Sequence, residues 1–147
     1  MKFITTISLF FVTLNTASLP AESISVVTHD KITIYTDPNT GTSSFTEWGV
    51  FPSVKQEVRR ITMQITLAHP EDRPIAHWDY LDRINILRTG GVNGRNAGYE
   101  IGRMLTPYGS NFKEGWAYTW EVDVTDFAPI LRDSVEIEYI HKLSRLF

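Results

Sequence analysis

The 147-residue sequence contains no cysteine, which excludes a disulfide scaffold, a zinc site built on cysteines and a thiol nucleophile. It also lacks an excess of basic charge. Its 14 lysines and arginines stand against 17 acidic residues, so a protein that binds nucleic acid by neutralising phosphates is excluded. Nucleophile-elbow, Walker and dinucleotide-binding motifs are absent, and the four histidines lack metal-ligand spacing. We therefore predict no metal and no cofactor.

The N-terminal segment has the pattern of a secretory signal peptide. A short positive start at Met1-Lys2 precedes an apolar run from Phe3 to Leu14, and small residues follow as far as Ala21. This order is typical of a leader that is cleaved on export, and the apolar run is shorter than the roughly 20 residues of a membrane-spanning helix. We therefore predict that residues 1–21 are removed, that the protein is secreted or periplasmic, and that no membrane contact remains after cleavage. The alternative is an uncleaved N-terminal anchor.

The rest of the chain is dominated by strand patterns. Polar and apolar residues alternate in several short segments, which is the period of a strand with one buried face. Turn-forming residues separate these segments, and no window of a dozen residues keeps a helical stripe. The predicted strands are Ile32–Tyr35, Arg60–Leu67, Arg83–Leu87, Thr119–Thr125 and Val135–Tyr139.

Many short alternating strands predict an all-β fold, an antiparallel β-sandwich or jelly roll. Thr125–Leu131 is the one segment that favours a single helical turn, which Pro129 keeps short. The sequence shows neither an internal repeat nor a low-complexity linker, so we predict one domain over residues 22–147.

Three segments carry a more specific pattern. Ala76–Arg83 contains a Trp-Asp pair, Tyr99–Gly109 contains a Glu-Ile-Gly-Arg stretch that ends in Thr-Pro-Tyr, and Glu121–Phe127 is followed by Ile130-Leu131. In this order and spacing they resemble the N-terminal domain of the peptide-N-glycosidase F family, which are secreted N-glycanases. The likeness extends over about residues 30–139.

The resemblance implies an eight-stranded antiparallel jelly roll. It also implies cleavage, without metal or cofactor, of the amide between an asparagine side chain and the first sugar of an N-linked glycan; the partner is then an N-linked glycoprotein or glycopeptide. Asp79 matches the family's catalytic aspartate, and a carboxylate is a natural base for activating water. Trp78 offers an apolar face to a sugar ring. Without the resemblance, Asp79 at the entry to a strand is an ordinary turn residue.

Two further positions follow from the resemblance as substrate-binding candidates. Tyr80 stands at the position of a sugar-contacting arginine, and His141 at that of a second acidic residue of the family's site. The family's cleft lies between this domain and a second jelly-roll domain, for which the chain has no room. We therefore expect the chain to be incomplete and inactive alone. The alternative is a non-catalytic module that binds glycans or another protein.

Two other patterns have simpler interpretations. Trp116, Tyr118 and Trp120 repeat with period two, and filling the core is the favoured role over stacking on sugars. Glu100 and Arg103 are expected to form an ion pair with each other or across the sheet. On the surface such a pair contributes about 0–1 kcal/mol.

Overall fold

Alternating residues in this chain form strands that assemble into two four-stranded antiparallel sheets and one short ribbon. The computed structural model describes residues 2–14, 22–35, 43–69, 75–77, 79–88, 97–113 and 115–143. The first sheet has the order β2-β1-β4-β9 and the second β3-β10-β6-β7, while β5 pairs with β8. The strands are β1 (Lys2–Leu14), β2 (Glu22–Tyr35), β3 (Ser44–Val50), β4 (Val58–Ala68), β5 (Ile75–His77), β6 (Tyr80–Arg88), β7 (Ala97–Leu105), β8 (Gly109–Phe112), β9 (Ala117–Asp123) and β10 (Ser134–Leu143).

The inner faces of the two large sheets supply the hydrophobic core. Buried and partly exposed residues alternate along β4, and the same alternation occurs along β6 and β10 in the other sheet. Each fully buried aliphatic side chain contributes about 1.5–3 kcal/mol relative to exposure. The buried hydrophobic members from these three strands are Ile61, Met63, Ile65, Leu67, Tyr80, Ile84, Ile86, Val135, Ile137 and Tyr139.

The all-β prediction is therefore confirmed, and the arrangement is consistent with a β-sandwich or jelly roll. Each of the five predicted strands lies within or largely within a strand of the structure. The described residues contain ten strands instead of the eight that the resemblance implies; eight form the two large sheets. The unpredicted strands, among them β3 and the ribbon, are short or lack clean alternation, so a local pattern does not reveal them.

The predicted leader occupies an unexpected position. Lys2–Leu14 forms β1, in the middle of the first sheet, antiparallel to β2 and to β4. Lys2–Leu14 is therefore part of the first sheet, and the domain bounds 22–147 stay a prediction. An apolar segment rich in β-branched and aromatic residues is typical both of the hydrophobic part of a signal peptide and of a central strand. The sequence pattern alone therefore does not distinguish the two. Removal of residues 1–21 on export stays a prediction.

The predicted helical turn is a 3₁₀ turn at Thr125–Phe127, at the end of the sandwich where β9 ends. The Thr125 hydroxyl donates to Asp123 at 2.6 Å, and the backbone N–H of Ile61 donates to that hydroxyl oxygen at 3.0 Å. The hydrogen bonds from Thr125 lower the pKa of Asp123. This part of the resembling sequence is therefore a structural corner that joins β9 to β4.

A buried histidine makes the stability of this fold depend on pH. His29 on β2 is fully buried; its Nε2–H donates to the Phe45 carbonyl at 3.2 Å, and its Nδ1 lies 3.0 Å from the Thr28 hydroxyl. Burial lowers the pKa of His29, and the opposing effects of the Phe45 hydrogen bond and of Glu47 do not reverse the shift.

We expect the protein to lose stability as the pH falls below about 6.5, the ordinary histidine pKa. The unfolded chain takes up the His29 proton first, so the loss starts near that pH and stops below the lowered pKa of the folded state. Thermal melting from pH 8 to pH 5 should show a flatter profile for His29→Gln than for the wild type. Parallel profiles would contradict the assignment.

Candidate functional site

Two of the three resembling segments meet at one end of the sandwich, where β6 starts and β7 ends. The backbone N–H of Tyr80 donates to the Thr106 hydroxyl at 2.9 Å, and the backbone N–H of Thr106 donates to the Tyr80 carbonyl at 2.9 Å. Leu81 pairs with Leu105 in the adjoining ladder. This reciprocal pair attaches the Trp-Asp segment to the Thr-Pro-Tyr segment, and we call this region the Tyr80 end.

Asp79 lies immediately before β6 and its side chain is exposed. A carboxylate here is accessible from solvent while its backbone is held by the neighbouring Tyr80–Thr106 pair. Trp78, the predicted sugar-stacking residue, lies outside the described residues. The catalytic role of Asp79 and the sugar-stacking role of Trp78 both stay predictions.

Tyr80 and His141 are in contact, as a shared site requires, but both are buried. Their ring centroids are 4.5 Å apart with the planes tilted by 47°. Tyr80 starts β6 and His141 lies near the end of β10, two strands that pair directly. Because both rings are covered by protein, holding the start of β6 against β10 is a better interpretation than direct contact with a substrate. Their predicted substrate contact stays a prediction.

Asp82 holds this buried group together. His141 and Asp82 are opposite each other in the β6–β10 ladder, and His141 Nδ1 lies 2.7 Å from Asp82 Oδ1. The Tyr139 hydroxyl donates a short hydrogen bond to Asp82 Oδ2. Asp82 is 2% exposed and His141 is 3% exposed, so the carboxylate accepts its hydrogen bonds away from water. Such bonds to a charged group are about twice as strong as those between neutral groups.

This arrangement orients the imidazole. An ionised carboxylate can only accept, so the proton of a neutral His141 ring is placed on Nδ1. The same carboxylate–imidazole pairing positions histidines in hydrolytic sites. Here the pair is buried and closed to a substrate in solution, so Asp82, Tyr139 and His141 hold the start of β6, the strand that follows Asp79, against β10.

Asp82, Tyr139 and Thr106 were not predicted as site residues, although the sequence contains a signal for two of them. Along β6 the inward-facing residues are Tyr80, Asp82, Ile84 and Ile86. Asp82 is therefore a charged residue at a position where the alternation predicts an apolar one. Tyr139 follows Val135 and Ile137 on β10 in the same way. Thr106 gives no such signal, because its role depends on the β6–β7 pairing.

A second buried histidine lies at the Tyr80 end. His69 follows β4, is 5% exposed, and its backbone N–H donates to the Trp116 carbonyl at 2.9 Å. Among the described side chains, its ring nitrogens are two of the buried polar atoms with no hydrogen-bond partner. Leaving a buried polar group unsatisfied costs about 1–3 kcal/mol. Such costs are retained most often at functional sites.

The aromatic repeat of Trp116, Tyr118 and Trp120 starts one residue before β9, and its members differ in burial. Trp120 packs against the core, which is the favoured interpretation. Tyr118, whose ring centroid lies 4.7 Å from that of Trp120 in an edge-on arrangement, is 49% exposed. Trp116 contacts Phe112 with ring centroids 4.4 Å apart. Tyr118 is therefore the member of the repeat most accessible to an external ligand.

The predicted ion pair is confirmed on the outer face of the second sheet. Arg103 donates from Nε and Nη2 to the two carboxylate oxygens of Glu100, at 2.6 and 2.9 Å. Arg83 Nε, on the neighbouring strand β6, lies 3.9 Å from Glu100 Oε2. The hydrogen bond from Arg103 lowers the pKa of Glu100. All three side chains are partly or largely exposed, so the role of the pair is structural and small.

The opposite end of the sandwich has a cleft of about 270 Å³, lined in part by Ile86, Arg132 and Ser134. The Arg132 guanidinium already donates to the carbonyls of Ala128 and Gln56, which makes it a clamp between two turns. Of the predicted site residues, the three that the structure describes (Asp79, Tyr80 and His141) do not line this cleft. The Tyr80 end is therefore the better candidate site.

Comparisons with protein-family models, curated proteins and solved structures return no match. Over the described ranges, no three histidine or acidic side chains come together as a possible metal site. The same ranges contain no helix with the length and apolar content to cross a membrane.

Proposed function

We propose that this chain is the Asp79-bearing domain of a secreted peptide-N-glycosidase. The observation that supports this most is the joining of two resembling segments by the Tyr80–Thr106 pair, which fixes an exposed Asp79 at one end of a β-sandwich. If segments that are distant in the sequence resemble parts of one family's active site, they are expected to lie next to each other in the folded chain. The partner is an N-linked glycoprotein or glycopeptide, and the rest of the cleft comes from a second jelly-roll domain.

In the proposed reaction Asp79 acts as a general base. Its carboxylate takes a proton from a water molecule, which attacks the side-chain carbonyl carbon of the glycosylated asparagine. The carbon–nitrogen bond then breaks as the leaving nitrogen takes that proton back from Asp79, which leaves an aspartate on the peptide and an amino group on the first sugar. The buried group formed by Tyr80, Asp82 and His141 holds the start of β6, the strand that Asp79 precedes. This matters for the proposed reaction because small errors in position slow such reactions strongly.

A non-catalytic glycan-binding module is the second candidate. The position that the resemblance gives to a second acid holds His141, which is buried against Tyr80 and bound to Asp82. The exposed Tyr118 offers a ring for stacking on a sugar. These observations are the support for a second candidate that recognises the glycan without cleaving it.

We expect the purified chain to bind an immobilised chitobiose-bearing glycopeptide and to show no measurable hydrolysis of a denatured N-glycoprotein, because half of the proposed cleft is supplied by another domain. Asp79→Asn should weaken glycopeptide binding by about tenfold, the loss of one charge-assisted hydrogen bond. Affinity chromatography, gel mobility and mass spectrometry of the peptide check these outcomes.

Asp126→Asn is the matched control, because Asp126 is an exposed acid in the 3₁₀ turn at the opposite end. It should bind like the wild type. Strong hydrolysis that Asp79→Asn abolishes would support catalysis and refute the need for a second domain. A wild-type chain that neither binds nor cleaves would refute both candidates in favour of a protein-interaction module.

A further inference from the structure

The central position of the first sheet is occupied by a segment that carries a leader pattern. β1 pairs with β2 from Lys2–Tyr35 to Leu14–Glu22, and with β4 from Ile4–Ala68 to Leu14–Val58. Phe10, near its middle, is opposite Val26 on one side and Met63 on the other, and both of these residues are buried. Removal of residues 1–21 would therefore take a strand from the middle of the sheet.

The gap left by β1 cannot close without a rearrangement. Neighbouring strands lie about 4.7–4.9 Å apart, so β2 and β4 are separated by about twice that distance. β2 is attached to the second sheet by the His29–Phe45 hydrogen bond and by buried Ile34. β4 is attached to β9 along Thr62–Ala68 and to the core. Two rows of backbone donors and acceptors would thus face an empty slot, which is a template for another strand.

We propose that the slot between β2 and β4 is a strand-acceptor site of the exported protein. Its occupant is an extended segment of another polypeptide, with apolar residues facing the core, that runs antiparallel to both neighbours in the direction of β1. Only a strand satisfies both ladders at once, and the buried residues of β4 beneath the slot require apolar cover. The inference rests on the proposed export and is independent of the chemistry proposed for Asp79.

Strand capture can be measured on the whole chain. A protease site placed within residues 15–21 is cut after folding, so that Lys2–Leu14 becomes a separate peptide. The cut protein is denatured and refolded with an excess of dye-labelled peptide of the Lys2–Leu14 sequence, and bound dye is measured after size exclusion. We expect one labelled peptide per chain. A Phe10→Pro peptide should bind at least about tenfold more weakly, because proline lacks the N–H and disrupts a central strand.

A disulfide reporter tests closure of the slot. Ser25 and Thr62 are both opposite Phe11, one on each side of β1, and the chain has no cysteine to interfere. In a Ser25→Cys/Thr62→Cys variant, an occupied slot keeps the two Cα atoms beyond the roughly 7 Å limit for a disulfide. We expect no cross-link in the cut protein refolded with the peptide.

Three results would overturn the proposal. The first is refolding of the cut chain without bound peptide, and the second is rapid cross-linking of the cysteine pair, which would show β2 closing on β4. The third is an exported protein whose intact mass still includes residues 1–21, since its slot would never be vacated. None of these readouts involves a glycan, so they remain distinct from a failure of the proposed function.

Discussion

Asp82→Ala is expected to destabilise the protein by about 2–6 kcal/mol, because two buried hydrogen-bond donors lose their acceptor and each unsatisfied group costs about 1–3 kcal/mol. The substitution leaves the Tyr139 hydroxyl and His141 Nδ1 without their acceptor in a site closed to water. For a chain of this size, about 2–4 °C per kcal/mol places the fall in melting temperature at roughly 10 °C. Urea denaturation and thermal melting measure both quantities.

Two further variants make the Asp82 prediction specific. Tyr139→Phe removes one of the two hydrogen bonds and keeps the ring, so it should cost less, about 1.5–3 kcal/mol. Asp79→Ala removes an exposed carboxylate three residues earlier in the chain and should cost less than about 1 kcal/mol. If Asp79→Ala destabilised the protein as much as Asp82→Ala, the buried network would not be the element that holds this end of the sandwich.

Leu131→Ala is expected to cost about 2–5 kcal/mol in the free energy of unfolding, since it opens a cavity in the core. Leu131 is fully buried, packs with Val124 and Ala128, and its backbone N–H donates to the Phe127 carbonyl at 3.0 Å. The 3₁₀ turn that precedes it would lose its main apolar anchor. Equilibrium unfolding in urea measures the loss, with an unchanged slope as evidence that the fold is kept.

Ile130→Ala is the matched control for this prediction. Ile130 is adjacent in the chain and only partly buried, so its truncation should cost about 1 kcal/mol. Glycopeptide binding should survive in both variants, because this corner lies at the end of the sandwich opposite to Asp79. Loss of binding in a folded Leu131→Ala protein would show that the two ends are coupled, and a smaller cost than that of Ile130→Ala would refute the anchoring role.

The candidate site and the corner around Leu131 show what the resembling segments do. The first two segments meet through Tyr80 and Thr106 and present Asp79 to solvent. The third joins β9 to β4 through Thr125 and Asp123. The sequence pattern does not distinguish these three segments from one another. Their positions in the sandwich do, because two of them form the candidate site and the third forms a structural corner.

The sequence by itself determined the fold class, the five alternating strands and most of the core, because the period of two is a local property of each strand. The same period marks Asp82, Tyr139 and His141 as polar residues on inward faces. Tertiary structure decided which of these residues meet, since strand register depends on pairing between distant segments. It also decided that Thr106 fixes the Asp79 segment and that Lys2–Leu14 lies between β2 and β4, where a local pattern indicates a leader.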